Sequence, residues 1–556
     1  MEEAYRYKLK QRRNAARYLV LYSALFLTLV VLLVFIIPLI AAFLPSVFAP
    51  QFENHISEKA VSGRIFFVTL YTLKIALGST LIAFVLGLPA AFFCARRNFF
   101  FKKLLIGFSA VPLCVPVLIA SLGFVSVFGV SGLLNEVLNL FGFEKIRILY
   151  SEKGIMIAQG SYNFPLVMSM VSRSWESLPC ETENAARLLG ASEKRVFFKI
   201  TLPSLLPAIG SAVIPVFLFC FFSFMMVLLF SVPGTSTLEV EIYQAVKTSL
   251  DFSYASNLAL IETLTAVLIV ILYLSAGGEI NGSGLVFEKK KLPKPFRAEY
   301  ESVVSKVCEI LLFIVLFFLI AVFFLSPLIG IIVNGFTARV SGKNVFSLNQ
   351  YKMLFNSKGF WISFLSTIKI SFCTAFVCTV VSLVYALSLQ NPGFTKLKKL
   401  FRLLALLPMA VSSIVLGFAL TLLFKKGNEL SLILVQSALF WPLSFRQISS
   451  ALDTIPIDVK NAASVLSENF TDSVFRVFIP WIKKSVYASF GFCFAFSAGD
   501  TTLPLILSIP KFQTLSLYTY RLSGSYRFNT ACASGTILAF ICFCVFIISE
   551  KIGGRK

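Results

Sequence analysis

Eleven cysteines, one histidine and a scatter of carboxylates are the groups in this 556-residue chain that could do chemistry. Cys94, Cys114, Cys220, Cys373, Cys378, Cys493, Cys532, Cys542 and Cys544 lie in or beside apolar runs, without a CxxC pair. They read as small buried hydrophobes rather than metal ligands or a disulfide framework. His55 stands alone in a loop, and one histidine builds no His-based metal centre. No stretch reads GxxxxGK[ST]; the nearest, Ser341-Gly342-Lys343-Asn344, lacks the spacing and the hydroxyl. A nucleophile elbow and an HExxH are absent too. The sequence therefore offers no cofactor site and no catalytic constellation, and uphill movement of a solute would draw its energy from a partner or a coupled ion. Asp500, Glu262, Lys74 and Lys369 are ionisable residues within or near apolar runs, where each is costly and merits a functional hypothesis.

The elements that must position these residues are membrane spans. The chain is 57% hydrophobic and only 14% charged, with 60 phenylalanines, whereas soluble chains carry about 25% charge. Disorder, collagen and coiled coil are excluded by the same composition. Twelve runs approach the ~20 residues that a helix needs to cross lipid: about 18–46, 66–93, 104–129, 154–175, 206–231, 255–276, 308–334, 361–389, 403–424, 429–446, 485–508 and 528–549. The first is too long for a cleaved signal and is expected to be retained. The net charge of +23 would suggest nucleic acid in a soluble protein. Here it has another cause, because 33 of the 50 Lys and Arg fall in alternate loops. That bias predicts both termini in the cytoplasm and no nucleic-acid partner. The loop 335–360 dissents, with Arg339, Lys343, Lys352 and Lys358 on the outer side.

Self-comparison yields a repeat at an offset of 277 residues. Pro165 pairs with Pro442, Pro179 with Pro456, Asn184-Ala185-Ala186 with Asn461-Ala462-Ala463, Pro203 with Pro480, Pro233 with Pro510 and Tyr243 with Tyr520. Thr72-Leu73-Lys74-Ile75 resembles Thr367-Ile368-Lys369-Ile370 at offset 295, so the second copy has lost about 18 residues in the outer segment 130–152. The expected fold is an all-α polytopic membrane protein, with about 12 transmembrane helices in two parallel six-helix repeats. Residues 1–276 form the first repeat, 277–306 a basic Gly- and Pro-containing cytoplasmic linker, and 307–556 the second repeat. Lys74 and Lys369 take matching places and are expected to snorkel to the interface.

The best-matched part of the repeat is a cytoplasmic loop, 176–205 in one copy and 447–484 in the other. Pro179 can open a helix, Glu181 and Glu183 suit its positive end, and Gly190 suits the left-handed residue that closes it. Two such helices about one axis suit a two-fold symmetric partner. The spacing from Asn184-Ala185-Ala186 through Gly190 to Ile200-Thr201-Leu202-Pro203 resembles the EAA signature of permease subunits in binding-protein-dependent ABC importers. Asn461-Ala462-Ala463, Ser467 and Val477-Phe478-Ile479-Pro480 repeat it. Asn stands for the usual Glu in both copies, and Ser467 for the usual Gly.

The resemblance implies a coupling helix in each copy that docks on an ATP-hydrolysing subunit. Its residues would be Glu183, Asn184, Ala185, Ala186 and Gly190, then Asn461, Ala462, Ala463 and Ser467. It further implies two copies of the ABC ATPase carrying ATP and Mg, an extracytoplasmic solute-binding protein, and a place in the lipid of the cell inner membrane. The stretch 237–245, Gly499-Asp500 and Gly524-Ser525-Tyr526-Arg527 look most like thiamine-type permeases, with ferric-iron permeases next. Thiamine is a cation, so Asp500 and Glu262 become candidates for the substrate pathway, with aromatic neighbours adding cation–π attraction. The plainer role for such a carboxylate is to cap a broken helix. An ion-coupled secondary transporter with twelve spans is the rival function.

Overall fold

A run of apolar residues in lipid must satisfy its own backbone, and a helix does so within one segment. The structure, a computed structural model, describes residues 35–44, 58–232, 234–275, 294–295, 303–340, 343–390, 398–424, 427–467 and 470–554. Within that range the apolar runs are helices. The first repeat holds α1 (Glu58–Arg96), α2 (Val117–Phe128), α3 (Glu152–Ser177), the short α4 (Cys180–Leu188), α5 (Leu202–Phe221), α6 (Leu238–Gln244) and α7 (Phe252–Ser275). The rest holds α8 (Val303–Ile320), α9 (Ser326–Gly335), α10 (Lys358–Ser388), α11 (Ser413–Leu423), α12 (Glu429–Asp453), α13 (Ile457–Leu466), α14 (Ile479–Gly499), α15 (Leu515–Gly524) and α16 (Phe528–Gly554). Extended backbone among the described residues is confined to two small pairs. Arg97–Asn98 runs parallel to Lys294–Pro295, and Thr337–Val340 pairs antiparallel with Lys343–Phe346 in the loop 335–360 that carries the dissenting charges. The molecule is a nearly all-α polytopic membrane protein.

Seven described helices are long and apolar enough to cross a membrane, and a bent pair over 404–423 makes eight. The sequence predicts about twelve spans, and the difference has physical sources. The run 18–46 is described only over 35–44, and most of the linker 277–306 and His55 also lie outside the described residues. Helices α3 and α12, 26 and 25 residues long, have the length of a span but bury Gln159, Asn163, Gln436 and Ser444. Four runs that the sequence presents as continuous are broken. Run 104–129 breaks at residues 115–116, 206–231 between Phe221 and Met225, 403–424 by a bend of 92°, and 485–508 between Gly499 and Thr502. Pro112, Pro116 and Pro408 sit at two of these breaks, where a missing N–H and a restricted preceding residue interrupt the helix.

The two copies pack alike. Helix α1 lies along α3 and α10 along α12; α5 then covers the first pair and α14 the second. Ser151 caps α3 by accepting from the Gly154 N–H at 3.1 Å. Asn428, 277 residues on, caps α12 by accepting from the Ser431 N–H at 2.7 Å. Glu152 and Glu429, the next residues, take ion pairs from Lys74 and Lys369. Thr72 accepts from the Leu238 N–H at 2.9 Å and Thr367 from the Leu515 N–H at 2.6 Å, tying α6 to α1 and α15 to α10. Such a bond contributes about 1 kcal/mol net, and both occupy buried positions where an unmet N–H would cost more. Across the copies, α9 packs on α2 and α6 on α11. Phe128 meets Phe323 at 5.4 Å, and Phe164 meets Phe324 at 5.2 Å, along this seam.

Candidate functional site

The breaks in four helices converge. They surround a cavity of about 190 Å³, lined by residues 114–118 and 222–225 of the first copy and by Ser413 and residues 499–502 of the second. Tyr162, Phe222, Phe224, Phe440 and Phe496 supply rings to its wall. A broken helix leaves carbonyls without partners, and here side chains answer them. Tyr162 Oη donates to the carbonyls of Val115 at 2.6 Å and Pro112 at 3.1 Å. Gly499 lets the breaks of the two copies touch, because a Cβ there would lie 2.8 Å from Pro116 Cγ.

Asp500 stands in the break after α14 and lines the cavity. Its Oδ1 accepts from the N–H groups of Thr502 at 3.0 Å and Leu503 at 3.3 Å, capping the short helix Thr502–Leu507. Its Oδ2 accepts from Gln436 Nε2 at 3.0 Å, and its carbonyl accepts from Ser516 Oγ at 2.8 Å. Among the described residues no lysine or arginine pairs with it. The carboxylate is thus hydrogen-bonded by neutral donors, which solvate a charge without cancelling it. The capping role and the cavity-facing position coexist in one residue.

Glu262, the other pathway candidate, lies elsewhere. It is buried on α7 beside Glu239 of α6 and Ser412, and it lines no part of this cavity. Lys74 and Lys369 are both exposed, and each also has a carboxylate partner, with Lys369 Nζ 2.6 Å from Glu429. Sequence reasoning passed over Gln436 and Tyr162. A signal for Gln436 was present, because Gln159 precedes it by the repeat offset of 277.

Away from the cavity, α4 and α13 are the short helices that the repeated loop predicts. Helix α4 closes as expected: Gly190 has φ of +82°, its N–H reaches the Arg187 carbonyl, and the Ala191 N–H reaches the Ala186 carbonyl. Ser467 departs from that plan, with φ −87° and ψ 141°, so α13 ends without a left-handed residue. Asn184, Ala185, Asn461 and Ala462 are exposed, Ala186 is half-buried, and Ala463 and Ser467 are buried. Glu183 faces inward and is only 5% exposed. Its Oε1 accepts from Arg96 Nη2 at 2.5 Å and Thr201 Oγ1 at 3.0 Å, pinning α4 to the end of α1. In the second copy Lys460 takes that place, and burial pushes its ammonium pKa down. Arg402 Nη2 donates there to both oxygens of Asp453, at 2.8 and 2.7 Å. Outward, the helices present matched apolar side chains, Leu188 (89% exposed) and Leu189 (88%) against Val465 (77%) and Leu466 (84%). Phe198 and Phe475, also 277 apart, are exposed beside them.

Residues 83–278 match the family of binding-protein-dependent transport system inner membrane components. The thiamine transport system permease protein ThiP of Brucella abortus (strain 2308) is 25% identical over 88% of each chain. The ferric transport system permease protein FbpB of Actinobacillus pleuropneumoniae is 23% identical over 85% of this chain and 69% of its own. A solved bacterial alginate ABC transporter, in complex with a periplasmic protein bound to alginate pentasaccharide, aligns at 20% identity. It covers 47% of this chain and 94% of that one, with a TM-score of 0.38. The family match spans the first copy's breaks and the short helix α4, and similarity to permeases of binding-protein-dependent transport systems extends across both copies.

Proposed function

We propose that this permease passes thiamine from an extracytoplasmic binding protein to the cytoplasm, driven by ATP hydrolysis on two separate ATPase subunits. The observation that carries the solute assignment is Asp500, a carboxylate without a basic partner in a cavity walled by five aromatic rings. An organic cation with an aromatic ring system gains there from Coulomb attraction and from cation–π contacts in a low-dielectric site. Likeness to thiamine permeases over most of the chain supports the same reading. A ferric ion is a hard cation that calls for several anionic oxygens, and this cavity offers one carboxylate.

The two repeats, 1–276 and 307–556, surround one pathway, with the linker 277–306 and both termini in the cytoplasm. One ATPase copy docks on the loop 176–205 and the other on 447–484, and ATP and Mg are held by those subunits. The matched exposed pairs Leu188-Leu189 and Val465-Leu466 favour this docking, because apolar side chains fully open to water at equivalent places suit a repeated protein contact. Glu183 then serves as the internal anchor of its helix, which transmits a push on α4 to α1 through Arg96.

The test is reconstitution of the chain with its ATPase and binding protein in liposomes. Uptake of radiolabelled thiamine is expected only with ATP and the binding protein together. Uptake that follows an imposed proton gradient without ATP would establish the secondary-transporter alternative instead.

A further inference from the structure

Three helices of the second copy meet behind the cavity wall at Gln436, which is fully buried and does not itself line the cavity. A carboxylate oxygen only accepts hydrogen bonds, so the Gln436 atom 3.0 Å from Asp500 Oδ2 is the amide nitrogen. That orientation turns Gln436 Oε1 toward two hydroxyls. Ser497 Oγ of α14 donates to it at 2.7 Å and Thr374 Oγ1 of α10 at 3.3 Å. The amide is clamped at one end and grips Asp500 at the other.

The first copy has the same device without its load. Gln159 is buried, and Ser79, at the position of Thr374, donates to its Oε1 at 2.8 Å. Ser223 occupies the register of Asp500, however, and Gln159 Nε2 has no hydrogen-bond partner among the described residues. Two copies of one clamp therefore differ in whether a carboxylate is held.

We propose that Gln436 is a positioning residue for the solute. Its clamped amide fixes the Asp500 carboxylate toward the cavity, so that recognition of a positively charged solute is a property of the second copy alone. The inference rests on the reading of Asp500 given above. Without the amide, Oδ1 keeps its two backbone donors, but Oδ2 loses the one side-chain donor it has among the described residues, and the carboxylate is free to turn from the cavity.

The test uses the complete importer in liposomes, with radiolabelled thiamine and saturating loaded binding protein. Gln436→Met is expected to lower the initial uptake rate roughly tenfold, the size of losing one hydrogen bond to a charged group, with ATPase retention unchanged. Gln159→Met is expected to stay within about twofold of wild type. In the Asp500→Asn background, Gln436→Met is expected to add no further loss, since it acts through that carboxylate. Gln436→Leu, which removes the donor and leaves an uncharged side chain of similar bulk, is expected to fall as far and serves if the methionine variant does not assemble. A further drop in the double variant, or an equal drop from Gln159→Met, would mark Gln436 as structural and overturn the proposal. Wild-type uptake by Gln436→Met or Gln436→Leu while Asp500→Asn is impaired removes the positioning role alone. Wild-type uptake by Asp500→Asn removes both readings.

Discussion

Ser223 and Asp500 stand at the same register of two copies that otherwise agree in detail, down to the capped starts of α3 and α12 and the threonines that receive α6 and α15. The short helices α4 and α13 repeat the contrast at lower intensity. Both present a short helix with an exposed apolar pair, yet one ends on a left-handed glycine and the other on an extended serine. Helix-helix architecture must be the same in both copies for their breaks to close around one cavity, so the residues that bear it recur. A solute passing along the axis meets both copies at once, and one carboxylate is enough to recognise one charge. The difference teaches that what recurs holds the scaffold, whereas what does not recur marks where the halves have divided the work.

The comparison can be broken most forcefully at α4 and α13. Leu189→Glu combined with Leu466→Glu places carboxylates in both exposed apolar patches. It is expected to reduce ATPase co-purification about tenfold or more, with each single change giving a similar partial loss. Unchanged co-purification would move the docking surface elsewhere. Next in size, Asp500→Asn is expected to lower thiamine uptake about tenfold while the ATPase stays bound, whereas Ser223→Ala leaves uptake within about twofold. Equal effects at the two positions would erase the division between the copies.

Smaller effects follow from backbone geometry. Gly190→Val puts a β-branched side chain at φ +82°, a strain of about 1–2 kcal/mol, and is expected to weaken ATPase retention and uptake without loss of membrane insertion. Ser467→Ala, on extended backbone, is expected to leave both unchanged, as read by the same co-purification. Least affected are Lys74→Ala and Lys369→Ala. Their ion pairs with Glu152 and Glu429 are well exposed, and exposed pairs contribute little; a thermal-unfolding scan is expected to show no difference from wild type or from each other.

Much of this organisation was legible in the sequence. Helical spans follow from apolar run length, and the ending of α4 follows from Gly190, because few residues other than glycine sit comfortably at positive φ. Asp500 was legible as a costly group in an apolar run. The breaks were not, because run length counts apolar residues and is blind to where a helix bends, even though Pro112, Pro116 and Pro408 mark two of the four. Glu183 reads as a surface residue from its place in the first turn; only the fold brings Arg96, 87 residues away, to its carboxylate. Glu262 carries the same local signal as Asp500, and only packing separates the one beside Glu239 from the one in the cavity wall. Gln436 lacks a charge and so draws no attention by type, although its repeat partner Gln159 was there to be compared.

The most direct measurement of the central claim is initial-rate uptake of radiolabelled thiamine into liposomes holding this chain with its ATPase and binding protein, with ATP supplied or withheld. Uptake that requires ATP and is saturated by loaded binding protein is the expected result. Uptake that proceeds without ATP, or an ATP-driven complex that leaves thiamine outside while carrying ferric iron, would contradict it.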